Sequence, residues 1–462
     1  MKGPLGFALQ VLAPLVASLA LAPAAAGARP ASAHPVLLIS IDGLRPGDVA
    51  QAGPRGLHLP NLTRFLAEGA HADGVHGVLP TVTYPSHTTL ITGAVPAHHG
   101  VVNNLTFDPF AINQDGWYWY ASDIAVPTLW DAARAAGLTV GNVHWPVSVG
   151  AHAITWNLPQ IWRTGHADDA KLLANLATSG LIPELEAAEH GAYAPGIAED
   201  IAGDETRGRF ARRLIGLHHP GFLTVYLTAL DHQQHVDGPD TPSAHAVLER
   251  IDAVVGELVA AERKAHPDAV IAVVSDHGFA PVDRALNLFR PFIDAGLIHL
   301  AAPDPAGRVK IAGWDAVPWI SGGSIAVVLA HPQDQALRAK VAALLAKLQA
   351  DPANGIARTI TEADIAKGGG NPQAAFYLNL ADGVMALPYI NPLIPTMVPA
   401  PYKGMHGYFP DDPRMRSTFL LMGPGVPAGR NLGEVDMRAI APTLARIMGG
   451  RLAGAEVAPL GF

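Results

Sequence analysis

VLLISIDGLRP, residues 36–46, begins with an apolar run and halts at Asp42-Gly43. A short apolar run of this kind, closed by a turn dipeptide, is the pattern of a strand buried on both faces. The pattern recurs along the chain. Residues 222–229 (FLTVYLTA) end just before Asp231, residues 269–275 (AVIAVVS) end at Asp276-His277, and residues 418–422 (TFLLM) form a fourth run. Helical periods lie between them: Leu62, Phe65 and Leu66 after Pro60-Asn61; Leu129, Ala132 and Ala136 before Gly137; and Val247, Ile251, Val254 and Leu258. Asp436 can cap a last helix, with Ile440, Leu444 and Ile447 on one face and Gly449 past its end. Strands alternating with helices predict an α/β fold: a mostly parallel central sheet with helices on both faces.

Residues 281–400 read differently. Two strand-like runs (355–360 and 375–380), a further one at 324–330, a helix at 335–348 and a Gly/Pro-rich connection predict a smaller α+β insertion. The catalytic domain is then expected to comprise residues 34–280 and 401–462. With 49% hydrophobic and 15% charged residues over 462, the chain has a globular composition, which excludes a disordered or collagen-like protein. The formal charge of −9 lacks the basic footprint of a nucleic-acid-binding protein. Cysteine is absent, which excludes disulfides, thiol nucleophiles and thiolate zinc sites, so a metal site must draw on imidazole and carboxylate.

Residues 1–33 read as an export signal. Lys2 supplies the positive start, an apolar run follows from Phe7 to Leu21, and Ala31-Ser32-Ala33 fits the cleavage pattern. Pro14 interrupts a run already short for a membrane span. The expected mature protein carries no membrane span and is periplasmic or secreted.

Asp42, Asp231 and Asp276 each follow an apolar strand. In an open α/β sheet that is where ligands bind. Three carboxylates there crowd like charge into one place, which is costly unless a cation neutralises it. Histidines accompany them: His235 in LDHQQHVDGP, His277 in VSDHG, and His406 in KGMHGY. Asp42, Asp276 and His277 can hold one ion, and Asp231, His235 and His406 a second. Each ion then has three protein ligands and an open position, the pattern of catalytic zinc. Two ions roughly 4 Å apart can clamp the attacking and leaving oxygens of a phosphoryl transfer. Ligand type favours two Zn²⁺ without excluding other divalent transition metals. The nucleophile is expected from a hydroxyl in residues 79–104, where the residues alone leave Thr81, Thr83, Ser86, Thr88 and Thr89 open. Ser86-His87 lacks the G-x-S-x-G elbow of a serine hydrolase. His76, His98, His99, His144 and His232 read as packing or surface residues.

At this point the chain resembles the nucleotide pyrophosphatase/phosphodiesterase (type I phosphodiesterase) family of the alkaline phosphatase superfamily. The resemblance rests on eight blocks in order: ISIDGLRP, LPNLTRFLAEGA, LPTVTYPSHTTLITGAVPAHHGVVNN, VPTLWDAARAAGLTVGNVHWP, LDHQQHVDGP, VSDHG, KGMHGY and VDMRAIAPTLARIMG. It implies that Thr83 in T-Y-P-S-H is the nucleophile and a metal ligand, that it forms a phosphothreonine intermediate, and that Asn104 donates a hydrogen bond to a phosphoryl oxygen. It implies the same two ligand trios as the spacing. Two departures stand out: Gln234 precedes His235 where the family usually has glycine, and Val147-Ser148 follows Trp145-Pro146 where Gly-Ser is frequent.

Tyr84, beside the nucleophile, reads as a substrate-pocket residue able to stack on a base or aryl group, or else as a core wall; residues 117–120 (WYWY) are candidates for the rim. The expected substrate is a small-molecule phosphodiester or nucleotide. The alternatives are a phosphomonoesterase or phosphonate hydrolase with the same metals, and a non-catalytic exported binding protein. A monoesterase must neutralise an additional negative charge. The nucleophile block offers no lysine or arginine for this, leaving Arg163 and Lys403 as candidates to fold inward.

Overall fold

The computed structural model describes residues 33–113, 116–161, 165–305, 309–388 and 394–462, with Met1 and Gly3. Nearly all of residues 1–33, expected to be an export signal, lie outside them. Among the described residues no helix is long and apolar enough to cross a membrane.

An eight-stranded sheet forms the centre, in the order Arg430–Asn431, Ala70–His71, Phe419–Met422, Val270–Val274, Val36–Ile41, Phe222–Leu227, Val140–Val143 and Trp156–Leu158. Val36–Ile41 pairs in parallel with both Phe222–Leu227 and Val270–Val274, and Val140–Val143 continues the parallel set. Every residue of these runs is buried, which is why they carry no polar alternation. Phe419–Met422 enters antiparallel beside Val270–Val274, so one flank of the sheet departs from the parallel pattern.

Separate apolar layers cover the two faces. On one, the Pro60–Glu68, Ile201–His218 and Pro242–Ala265 helices bury residues such as Phe65, Phe210 and Ile251 against Ile39 and Val225. On the other, the Leu129–Ala135 and Ile440–Ile447 helices bury Trp130 and Leu444 against Leu38 and Val274. Asp436 caps a short 3₁₀ turn, Met437–Ala439, and the last helix starts only after it.

In the chain between Val270–Val274 and Phe419–Met422 comes a four-stranded antiparallel sheet in the order Ala316–Ser321, Ser324–Leu329, Ala374–Leu380 and Ile356–Thr361, accompanied by the Gln335–Ala350 helix. Val327, Tyr377 and Leu378 lie in a third apolar cluster, which Leu79, Ala280 and Tyr408 join from the flanking chain. Ala316–Ser321 is absent from the sequence reading because Pro318 argues against a strand; the structure places it at the edge, where a missing N–H is tolerated.

Candidate active site

The carboxyl ends of three parallel strands converge on one cleft of about 410 Å³. Val36–Ile41 delivers Asp42, and Val270–Val274 delivers Asp276 and His277. Phe222–Leu227 runs into the Ala229–Asp237 helix, whose first turn carries Asp231 and whose next turn carries His235. His406 arrives from the segment after the antiparallel sheet. Gly407 behind it has φ +87°, and a Cβ there would meet the Ser321 carbonyl oxygen at 2.0 Å. Only glycine fits that approach.

The six predicted ligands meet. His277 Nε2 lies 3.2 Å from Asp42 Oδ1 and 3.1 Å from Asp276 Oδ2. His235 Nε2 lies 3.4 Å from Asp231 Oδ2, and His406 Nε2 lies 3.7 Å from Asp231 Oδ1. The His277 and His406 rings stack, centroids 3.6 Å apart. Donor atoms of Asp42, Asp276 and His277 fall within 4.8 Å of one another, and so do those of Asp231, His277 and His406. His277 thus stands between the two groups, a position that chain spacing does not reveal.

Each of these histidines presents its Nδ1 to a backbone carbonyl: His277 to Gly278 at 3.1 Å, His235 to Gly404 at 2.9 Å, and His406 to Thr81 at 3.2 Å. A carbonyl only accepts, so each Nδ1 is the N–H donor. Each Nε2 then has its lone pair on the side where the carboxylates lie. Asp42 Oδ1, Asp231 Oδ1 and Asp276 Oδ2 are buried without hydrogen-bond partners. Nitrogen and oxygen donor atoms therefore converge with no cationic side chain among them, an arrangement suited to a divalent cation.

The electrostatics agree. Burial, then the charges of Asp231 and Asp276, hold Asp42 well above the usual carboxylate range. Burial, then Glu199, pushes Asp231 up to about 8. Burial, aided by the charge of Asp231, pushes Asp276 up to about 7. Burial holds His235 down at about 4 and holds His277 and His406 well below the usual imidazole range, so all three rings stay neutral.

Thr83 opens the Thr83–Thr92 helix, and its hydroxyl lies 3.4 Å from His277 Nε2. The positive end of that helix faces the same cleft. Asn104 Oδ1 accepts the Tyr84 N–H at 2.9 Å, which leaves the amide nitrogen as its donor end. Asn103 supports it, accepting the Asn104 N–H at 2.8 Å and donating to the Ile320 carbonyl at 2.9 Å. Tyr84 is in the cleft wall, its ring 5.3 Å from that of Trp117 and otherwise packed on Val101 and Val147. Val147 has φ +55°, a conformation that suits glycine and strains a β-branched residue. His144, read as packing, is indeed buried beneath the site.

Three further residues belong to the site. The Tyr226 hydroxyl donates to Asp42. Glu199 lines the cleft and pairs with His232 Nδ1 at 3.1 Å. In the sequence Tyr226 passes for strand filler. Glu199 sits 32 positions before Asp231 with no pattern to connect them.

A family model described as type I phosphodiesterase / nucleotide pyrophosphatase matches residues 36–387. The chain belongs to that family. An uncharacterised pyrophosphatase/phosphodiesterase of Schizosaccharomyces pombe is 26% identical over 258 residues, 53% of this chain and 45% of that protein. Ectonucleotide pyrophosphatase/phosphodiesterase family member 3 of Rattus norvegicus is 24% identical over 288 residues, 60% of this chain and 28% of that protein. The chain thus spans less than half the length of these relatives. Human ectonucleotide pyrophosphatase/phosphodiesterase 5 shares the fold with a TM-score of 0.63 at 19% identity, covering 90% of this chain and 95% of that one. An inactive form of the murine protein, solved in complex with AMP, superposes with the same TM-score at 18% identity, covering 93% and 97%. Within the family frame the two departures acquire an explanation in space: Gln234 is a buried helical residue whose amide donates to the Gly43 carbonyl, and Val147 packs on Tyr84.

Proposed function

We propose that this family member is an exported two-zinc phosphodiesterase or nucleotide pyrophosphatase. It hydrolyses phosphodiester or pyrophosphate bonds through a phosphothreonine at Thr83. The observation that carries the reading is the Thr83 hydroxyl at a helix N-terminus, 3.4 Å from a histidine that stands between two groups of buried donors. Asp42, Asp276 and His277 are assigned to one ion, and Asp231, His235 and His406 to the other. Bound there, two Zn²⁺ supply Lewis-acid polarisation of the phosphoryl group. Thr83 Oγ1 forms the new bond to phosphorus while the bond to the leaving oxygen breaks, and water then cleaves the threonine ester. Asn104 donates its amide N–H to a phosphoryl oxygen, where charge builds. Tyr84 and Trp117 form the aromatic wall for the substrate's organic group.

Diesters are preferred over monoesters because, among the described residues, no lysine or arginine lines the cleft. Lys403 is exposed, and Arg163 lies outside the described residues. Export follows from residues 1–33. The division into a catalytic domain of residues 34–280 and 401–462 and an insertion of 281–400 follows the antiparallel sheet of the insertion, whose apolar cluster is shared with Leu79, Ala280 and Tyr408 of the catalytic part.

Zinc-loaded protein assayed on bis-p-nitrophenyl phosphate, p-nitrophenyl phosphate and a dTMP aryl ester tests this. The expected order places the two diesters well above the monoester. A monoester preference moves the chain to the phosphatase alternative, and no turnover on any of the three leaves a binding protein.

A further inference from the structure

The helix that carries Asp231 and His235 does not cap itself. Its leading residue, Thr228, makes no side-chain hydrogen bond to the first turn. The first N–H groups of a helix have no partner within it and need one from elsewhere. Here the partner comes from another helix. Asp204, in the first turn of Ile201–His218, accepts the Thr228 N–H on Oδ1 and the Ala229 N–H on Oδ2, both at 2.9 Å.

Asp204 is in turn held by Arg207, one turn further on, through an ion pair in which both side chains are fully buried. The Arg207 guanidinium also donates to Thr228 Oγ1 at 2.6 Å and to the carbonyls of Gly196 and Ala198 at 2.7 and 2.8 Å. Four contacts thus fix the guanidinium plane on one side of the strand-to-helix junction. A second arm runs the other way. Arg207 Nη1 lies 3.3 Å from His144 Nε2, and the His144 ring stacks on Tyr226, whose hydroxyl donates to Asp42.

Removing two charges from water is costly, and apolar residues of similar volume frequently serve stability as well or better. An ion pair placed at this junction has a more specific use. Asp231 stands only two residues after Ala229, so the position of the first turn sets the position of its carboxylate.

We infer that Asp204 and Arg207 are positioning residues: together they dock the first turn of the Ala229–Asp237 helix and thereby aim Asp231 and His235 at the second ion. This rests on the two-zinc reading above. It adds two residues that touch neither substrate nor ligand side chains of that ion.

The test is metal affinity, with Asp204→Asn, Arg207→Met and the near-isosteric Thr228→Val compared with the wild type. Zn²⁺ is titrated against a competing chelator on protein whose folding is verified by circular dichroism. In the variants, one ion is expected to bind about tenfold or more weakly while the other changes by less than about twofold, the scale typical of groups that support metal ligands. Metal-free protein gives a second readout: backbone amides of residues 228–231 should exchange about tenfold faster, with exchange elsewhere unchanged, because the loss is local. If Asp204→Asn or Arg207→Met does not fold, Thr228→Val decides alone. Folded variants with both affinities at wild-type values overturn the inference and leave the two-zinc reading intact. A wild type that takes up no second ion overturns both.

Discussion

Gln234 Nε2 donates to the Gly43 carbonyl oxygen at 3.1 Å, joining the helix that carries Asp231 and His235 to the turn immediately after Asp42. Gly43 sits at φ +68°, and a Cβ there would meet that same Nε2 at 2.9 Å. Gln234→Gly, which restores the residue frequent in the family, removes this link and places glycine inside a helix. It should destabilise the fold by about 1–2 kcal/mol, from helix propensity and one lost buried hydrogen bond. Denaturant unfolding measures this, and an unchanged midpoint would show that the link carries no weight.

Thr83→Ala should reduce hydrolysis of bis-p-nitrophenyl phosphate by on the order of 10⁴-fold or more, the scale seen when a nucleophile is removed. Bound zinc should stay near the wild-type content, because six other donors remain. Turnover close to wild type would take Thr83 out of the nucleophile role.

His277 and His235 should differ as ligands. His277 belongs by distance to both donor groups, whereas His235 approaches only Asp231. His277→Ala should therefore weaken both ions, and His235→Ala one. Elemental analysis of zinc per chain after dialysis against a weak chelator separates the cases; identical losses in the two variants would refute the distinction.

Tyr226→Phe removes only the hydroxyl that donates to Asp42. Asp42 then keeps its position but loses a partner, and zinc affinity or turnover should fall about tenfold, as is typical when support of a ligand is lost. The ring stays, with its 4.5 Å packing on His87, so thermal stability should change little. A variant with wild-type affinity and rate would reduce Tyr226 to a packing residue.

Metal-free protein should lose stability as pH rises toward 8. Burial keeps Asp276 protonated up to about 7 and Asp231 up to about 8, with neighbouring acidic charge adding to the effect. In the unfolded chain an aspartate ionises near about 3.9, so between these values the folded state holds more protons and stability declines with pH. His235 acts in the opposite sense: it stays neutral down to about 4, so its contribution grows with pH until about 6.5, where an unfolded histidine has lost its proton. The two effects oppose each other below about pH 6.5, and only the carboxylate loss remains between there and about 8. The Tm of metal-free protein should decline across that interval, and saturating zinc should abolish the decline. A flat metal-free profile would count against the buried carboxylates as its source.

Much of this architecture is legible in the chain because burial leaves a direct mark. A strand covered on both faces, such as Val36–Ile41, has to be apolar throughout, and an aspartate at its end has few reasons to sit in so dry a place. What escapes reading is whatever depends on distant segments meeting. Tyr226 reads as one more bulky residue of a buried strand, and the partner of its hydroxyl lies 184 positions earlier. Asp204 looks like an ordinary first-turn acid until Thr228 and Ala229 are placed against it. The Ala316–Ser321 strand is hidden by Pro318, since a single chain does not tell an edge from a centre.

The carbonyls of Thr81, Gly278 and Gly404 that hold the three imidazoles come from separate stretches of backbone. Rings anchored in this way need not swing into place when a cation arrives. Uptake should therefore be governed by how quickly the incoming ion sheds its own hydration, and replacing zinc with cobalt should tint the protein without repacking its interior.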